Sequence, residues 1–186
     1  AGMLGPWPRT LAPLALAILL GYSLCKRFTQ GSHLVLGLAL AGAPLGAWIA
    51  VSGSLEPSAW SLAGGVLTWT AGFDILYALA DRAFDRAHGL HSIPARWGLR
   101  TSLRISRTLH LLALLFWADF NLRQGAHLFP WLAWALVGLI LVREQWLLRK
   151  GCLEHLDHAF FTLNSLVGPI FFLGHVAEVA LRHLPL

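Results

Sequence analysis

Asp74, Asp81 and Asp85 lie seven and four residues apart in the stretch GFDILYALADRAFDRAHGLHSIPARWG. On one continuous helix of about 3.6 residues per turn, that spacing puts all three on one face, with Tyr77 between the first two. The stretch closes an apolar run, and an aspartate inside a membrane span costs about 2.5–3.5 kcal/mol. Three like charges also repel one another, so a cation must offset both terms. Arg82 and Arg86 are close in sequence, but each points away from the carboxylate stripe. Carboxylate oxygens suit Mg²⁺, which takes one or two carboxylates together with phosphate oxygens and waters. The alternative is that Asp81 and Asp85 lie in the solvated interface and pair with neighbouring arginines. Asp74 sits about two turns deeper and fits that alternative less well.

A second cluster occurs in GYSLCKRFT, where Tyr22, Lys26 and Arg27 end an earlier apolar run. Lys26 is expected one turn past Tyr22 on the same face. The bland reading is a stop-transfer pair of charges. The chemical reading is a set of diphosphate ligands, because Lys and Arg bind phosphate through charge-assisted hydrogen bonds. Acids with a metal and bases at one membrane face suit a substrate with a diphosphate head and an apolar tail, which describes a prenyl diphosphate.

The elements that must hold these residues are apolar helices. The 186 residues are 56% hydrophobic and 12% charged, about half the charge fraction of a soluble domain. Mean hydropathy is +0.62. A span needs about 20 mainly apolar residues. Six are expected, near 10–25, 33–54, 58–80, 105–121, 128–148 and 159–181. The fold class is therefore all-α, a polytopic transmembrane helical bundle, with residues 1–186 forming a single domain. Gly37, Ala41, Gly42 and Gly46 in the second span are expected to let helices approach closely, and Pro44 to kink it.

Ten of the fourteen basic residues fall in alternate connections. Lys26 and Arg27 follow the first span, Arg82 to Arg107 the third, and Arg149 and Lys150 the fifth. Positive charge marks the cytoplasmic side, so the Asp-rich loop is expected there. The net charge of +5 then reflects topology, and no nucleic-acid partner is implied. Cys25 and Cys152 read as free thiols.

The combined motifs resemble a known family. DILYALADRAFD fits the pattern DxxYxxxDxxxD, the second aspartate-rich motif of the UbiA superfamily of intramembrane aromatic prenyltransferases. YSLCKRFT, with the HLVLGLALAGAPLGAWIAV that follows, resembles that family's YxxxKRxT segment and next span. GLHSIPARWG, which carries Ser92 and Arg96, resembles its short cap element. The similarity runs over about 15–175 and is nearest to 4-hydroxybenzoate polyprenyltransferases, including menaquinone-type members. The family's first motif, NxxxDxxxD, does not occur here, so the chain is expected to be the C-terminal two-thirds of an enzyme of about nine spans.

The resemblance implies a bacterial inner-membrane enzyme acting on a prenyl diphosphate and an aromatic acid. It implies Mg²⁺ held by Asp81 and Asp85, and a diphosphate bound by Tyr22, Lys26, Arg27, Ser92 and Arg96. It also implies Asp74 as acceptor of a phenol proton and Tyr77 as a ring that steadies an allylic cation. A non-catalytic prenyl-lipid-binding subunit, completed by a partner that supplies the first motif, is the alternative. A proton-coupled transporter fits less well, since no internal repeat is evident.

Elsewhere, His88 and His91 read as solvated loop residues. EHLDH, with Glu154, His155, Asp157 and His158, reads as a connecting loop rather than a metal site. Asn164 is expected to make an interhelical hydrogen bond. Arg143 and Glu144 are expected to be buried near the end of the fifth span.

Overall fold

A computed structural model describes residues 6–149 and 162–182. Among them are seven α-helices in the order α1 (Pro6–Cys25), α2 (Ser32–Ser52), α3 (Pro57–Tyr77), α4 (Arg82–Ala87), α5 (Ile93–Arg123), α6 (Leu128–Leu148) and α7 (Asn164–Arg182). The fold is all-α, and the six long helices overlie the six expected spans. By length and composition, α2, α6 and α7 suffice to cross a membrane, and α1 carries a shorter apolar stretch, Arg9–Tyr22. Lys150, Cys152 and the EHLDH window lie outside the described residues, as does the start of the sixth expected span.

Helix α3 is the interior element. Eleven of its 21 residues are buried, and most are small or hydroxyl-bearing. Small side chains let neighbours pack close to its backbone. A Cβ at Gly37 of α2 would overlap the Leu67 carbonyl oxygen, so glycine is needed where α2 crosses α3. Ala41, one turn on, is also buried. Gly42 and Gly46 instead meet nothing within 4 Å; only half of the expected stripe is a packing seam. α2 also continues without interruption through Pro44.

On the far side, Ala113 and Trp117 of α5, Val137, Ile140 and Leu141 of α6, and Leu163 with Val167 at α7 form one apolar core. Large apolar side chains such as Leu38, Leu139 and Phe172 face outward, each at least half exposed. Lipid would cover such a surface.

Three sequence expectations need correction. Asp74, Asp81 and Asp85 do not share one continuous helix, because α3 ends at Tyr77 and α4 begins at Arg82. No proline or glycine breaks the run. Instead Leu79 and Ala80 donate to the carbonyls three residues back, at 3.1 Å each, which tightens the turn. Leu79 is thereby buried with Leu76, Leu103 and Leu148, so tertiary packing overrides a good local helix sequence. Lys26 also lies outside α1, in the turn after Cys25, so it does not continue the face of Tyr22. Finally, Arg143 is exposed whereas Glu144 is 1% exposed; adjacent helical residues point about 100° apart.

α5 also starts well before the expected fourth span. Ser92 caps it, accepting a hydrogen bond from the Ala95 N–H at 3.2 Å, and Pro94 occupies its first turn, as the fixed φ of proline allows. A kink follows at Gly98, whose φ of 74° lies in the left-handed region that favours glycine.

A buried polar cluster joins α3, α5, α6 and α7. Asn164 donates to Glu144 Oε1 at 2.8 Å and accepts from Trp69 Nε1 at 3.1 Å. Gln145 donates to Ser106 Oγ at 2.8 Å and lies 3.3 Å from His110 Nδ1. The expected interhelical role of Asn164 is present.

Candidate active site

Lys26, Asp81 and Asp85 converge at one end of the bundle. The Lys26 ammonium lies 3.5 Å from Asp81 Oδ2 and 3.8 Å from Asp85 Oδ2. Asp81 is nearly half exposed, at 48%, whereas the Asp85 side chain is 2% exposed. The two acids sit one turn apart because the Asp85 N–H bonds the Asp81 carbonyl at 2.8 Å. Asp85 Oδ2 is buried and accepts no hydrogen bond. Burial of an ionised oxygen carries a desolvation cost, which Lys26 at 3.8 Å offsets through charge alone.

Asp74 sits on the last turns of α3. Its Oδ2 lies 2.6 Å from Nδ1 of His33, on the first turn of α2, and the imidazole is 0% exposed. Tyr77, at the C-terminal end of α3, packs partly buried against the Leu76, Leu79, Leu103 and Leu148 cluster.

The segment between α4 and α5 positions both groups. The Leu90 N–H bonds the Asp85 carbonyl at 2.8 Å, and the His91 N–H bonds the Lys26 carbonyl at 2.6 Å. The Ile93 N–H points at His33 Nε2 from 3.5 Å. Four residues of backbone therefore reach the lysine, the buried acid and the histidine. An open cleft of about 320 Å³ lies beside this segment, lined by Gln30, Asp85, Arg86, His91, Ser92 and Arg96.

The remaining expected site residues fall around this centre unevenly. Arg96 is exposed on the cleft wall, with its guanidinium 5.5 Å from the Trp97 ring centroid. Ser92 is buried, and its oxygen is engaged as the cap of α5. Tyr22 is half-buried on the last turn of α1. Arg27 is exposed and among the described residues has no carboxylate within ion-pair distance. Arg86 donates from Nε to the Ala95 carbonyl at 2.7 Å, which turns it away from the acids. His88 and His91 are both exposed.

The sequence does not single out His33. A lone histidine opening an apolar run carries no motif; only its nearness to Lys26 and Arg27 along the chain offered a signal.

Among the described residues no three His, Cys, Asp or Glu side chains gather as an all-protein metal cage. Two carboxylates within ion-pair distance of one ammonium, one of them holding a buried oxygen that accepts no hydrogen bond, do fit Mg²⁺, which keeps several waters and shares ligands with phosphate.

Residues 1–166 match the UbiA prenyltransferase family. The chain belongs to that family. It is 34% identical over 162 residues to the 4-hydroxybenzoate octaprenyltransferase of Chromohalobacter salexigens, covering 86% of this chain and 53% of the relative. It is 33% identical over 167 residues to the enzyme of that name from Edwardsiella ictaluri, covering 89% of this chain and 56% of the relative. The chain thus spans little more than half the length of these UbiA relatives. The apo structure of a UbiA homolog from Aeropyrum pernix K1 superposes with a TM-score of 0.85 at 31% identity, over 96% of this chain and 66% of that one.

Proposed function

We propose that this chain takes part in transferring a polyprenyl group from a prenyl diphosphate to an aromatic acceptor of hydroxybenzoate type, a step of quinone biosynthesis. The observation that carries the reading is the convergence of Lys26 on Asp81 and buried Asp85, within a chain of the UbiA prenyltransferase family.

In this reading Asp81 and Asp85 hold Mg²⁺. When bound, that ion supplies positive charge to the diphosphate, which stabilises it as a leaving group. Lys26 lies where it can neutralise the same oxygens, and Arg96, on the cleft wall, adds a forked donor. Tyr22 and Arg27 would reach the diphosphate from α1 and the turn after it, and Ser92 would donate its hydroxyl proton. The allylic C–O bond breaks with its electron pair leaving on the diphosphate. Asp74 takes the phenol proton, the electron-rich ring carbon forms the new C–C bond, and loss of the ring proton restores aromaticity. Tyr77 presents a π-face to the developing cation. The prenyl tail lies along the outward apolar faces of the helices, and the Asp-rich end faces the cytoplasm of a bacterial inner membrane.

The test is an assay of the native gene product in membranes with Mg²⁺, a series of prenyl diphosphates, hydroxybenzoate and dihydroxynaphthoate. The reading expects Mg²⁺-dependent formation of prenylated hydroxybenzoate. Product with dihydroxynaphthoate alone would move the acceptor class to the menaquinone type. Binding of prenyl diphosphate with no product from any acceptor would replace transfer by a binding role.

A further inference from the structure

His33 is fully buried and touches Asp74 at hydrogen-bond distance, 2.6 Å, across 41 residues of sequence. Its other ring nitrogen faces the Ile93 N–H at 3.5 Å, the outer limit of a hydrogen bond. A backbone N–H can only donate, so Nε2 must present its lone pair. A neutral imidazole then carries its proton on Nδ1 and donates it to the Asp74 carboxylate. Two separate contacts, from α3 and from the start of α5, therefore select the same tautomer.

We propose that His33 is a positioning residue for Asp74, holding Oδ2 by an Nδ1–H bond and leaving Oδ1 to take the phenol proton. The inference rests on the transfer reading given above and adds a residue to it. A carboxylate on a terminal turn of α3, with two rotatable side-chain bonds, has several orientations open to it. A buried donor that is itself pinned at its other nitrogen removes most of them. A base that must meet a proton within about 2.6–3.2 Å gains directly from such fixing. A purely architectural role, tying α2 to α3 and α5, would use the same contacts, so the test has to separate the two.

The native gene product is compared with His33→Gln and His33→Leu in membranes at matched expression. Glutamine keeps one donor and one acceptor; leucine keeps only the bulk. Prenyl diphosphate affinity should stay within about threefold in both, as for groups away from the diphosphate. Turnover with hydroxybenzoate should fall about 10–100-fold in His33→Leu, a share of the 10²–10⁴ typical of general base catalysis, and recover largely in His33→Gln. With a ring-fluorinated hydroxybenzoate that keeps one C–H beside the phenol and whose phenol is already ionised at the assay pH, the His33→Leu deficit should vanish. An equal deficit with both acceptors, or no deficit at all, overturns the proposal. If the native protein binds prenyl diphosphate but alkylates no acceptor, the transfer reading fails, and ¹⁵N NMR of histidine-labelled protein still decides the pairing. The expected spectrum has the resonances lost in His33→Gln reporting Nδ1–H, displaced by Asp74→Asn; an Nε2–H tautomer indifferent to Asp74→Asn contradicts it.

Discussion

Two regions of this bundle bury an acid almost completely, and they do so in opposite ways. Glu144, near the C-terminal end of α6, is closed in by other helices: Asn164 donates to it, His110 lies 3.7 Å away, and both of these partners are buried. Asp85, at the bundle end, is equally buried, yet its ion-pair partner Lys26 is 30% exposed and Asp81, which shares that lysine, is 48% exposed. The first acid has an amide and an imidazole beside it, within the polar cluster that ties α3, α5, α6 and α7 together. The second opens through charged groups onto a cleft. Burial alone therefore does not mark a reactive acid; a charged partner with access to solution separates the two.

The comparison is sharpened most by changing the open acids. Asp85→Asn or Asp81→Asn keeps shape and removes a charge. If the pair grips a cation and a diphosphate, the transfer rate should fall 10²–10³-fold, about 2.7–4 kcal/mol, as when one charge-stabilising group is lost. Steady-state rates at matched expression check this, and a change below about threefold would return both residues to ordinary exposed ion pairs. Asp74→Asn should slow transfer by a comparable factor while leaving prenyl diphosphate affinity nearly unchanged, since Asp74 pairs with His33 and not with Lys26. An equal loss of affinity in that variant would merge the two groups into one.

The closed cluster should respond in stability instead. Asn164→Leu strips Glu144 and Trp69 of a partner and should cost about 1–2 kcal/mol, the scale of a strong interhelical hydrogen bond within a membrane. Thermal unfolding in detergent reads this, with diphosphate affinity unchanged. The glycines of α2 should differ from one another, and Gly46 should give the smallest effect of all. Gly37→Ala forces a Cβ onto the Leu67 carbonyl and should destabilise by about 1–3 kcal/mol. Gly46→Ala, which meets nothing within 4 Å, should stay within about 0.5 kcal/mol.

Much of the architecture is legible in the sequence because apolar length has a physical threshold. The expected fifth span, 128–148, coincides with α6, and the second, 33–54, overlaps nearly all of α2. What the pattern hides is where packing overrides periodicity. Asp74, Asp81 and Asp85 keep helical spacing in the sequence, but burying Leu79 bends the chain between Tyr77 and Arg82. Small residues in α2 look equivalent in sequence, and only the crossing with α3 separates Gly37 from Gly46. For the candidate site, the motifs lead to Lys26, Asp81 and Asp85, and the fold brings both carboxylates within 4 Å of the lysine. They do not lead to His33, whose importance rests on a partner 41 residues away. Nor do they reveal that Leu90, His91 and Ile93 aim backbone N–H groups at three members of the site, because backbone donors leave no trace in side-chain type.

The central claim is that Asp81 and Asp85 share one cation position with Lys26 beside a diphosphate. Equilibrium binding of a prenyl diphosphate to the purified native protein, titrated with Mg²⁺, tests it most directly. The account predicts that affinity rises with Mg²⁺ in the native protein and loses that dependence in Asp85→Asn. It also predicts that Lys26→Gln weakens binding while keeping the Mg²⁺ dependence. Unaltered Mg²⁺ dependence in Asp85→Asn, with the protein folded, would contradict it.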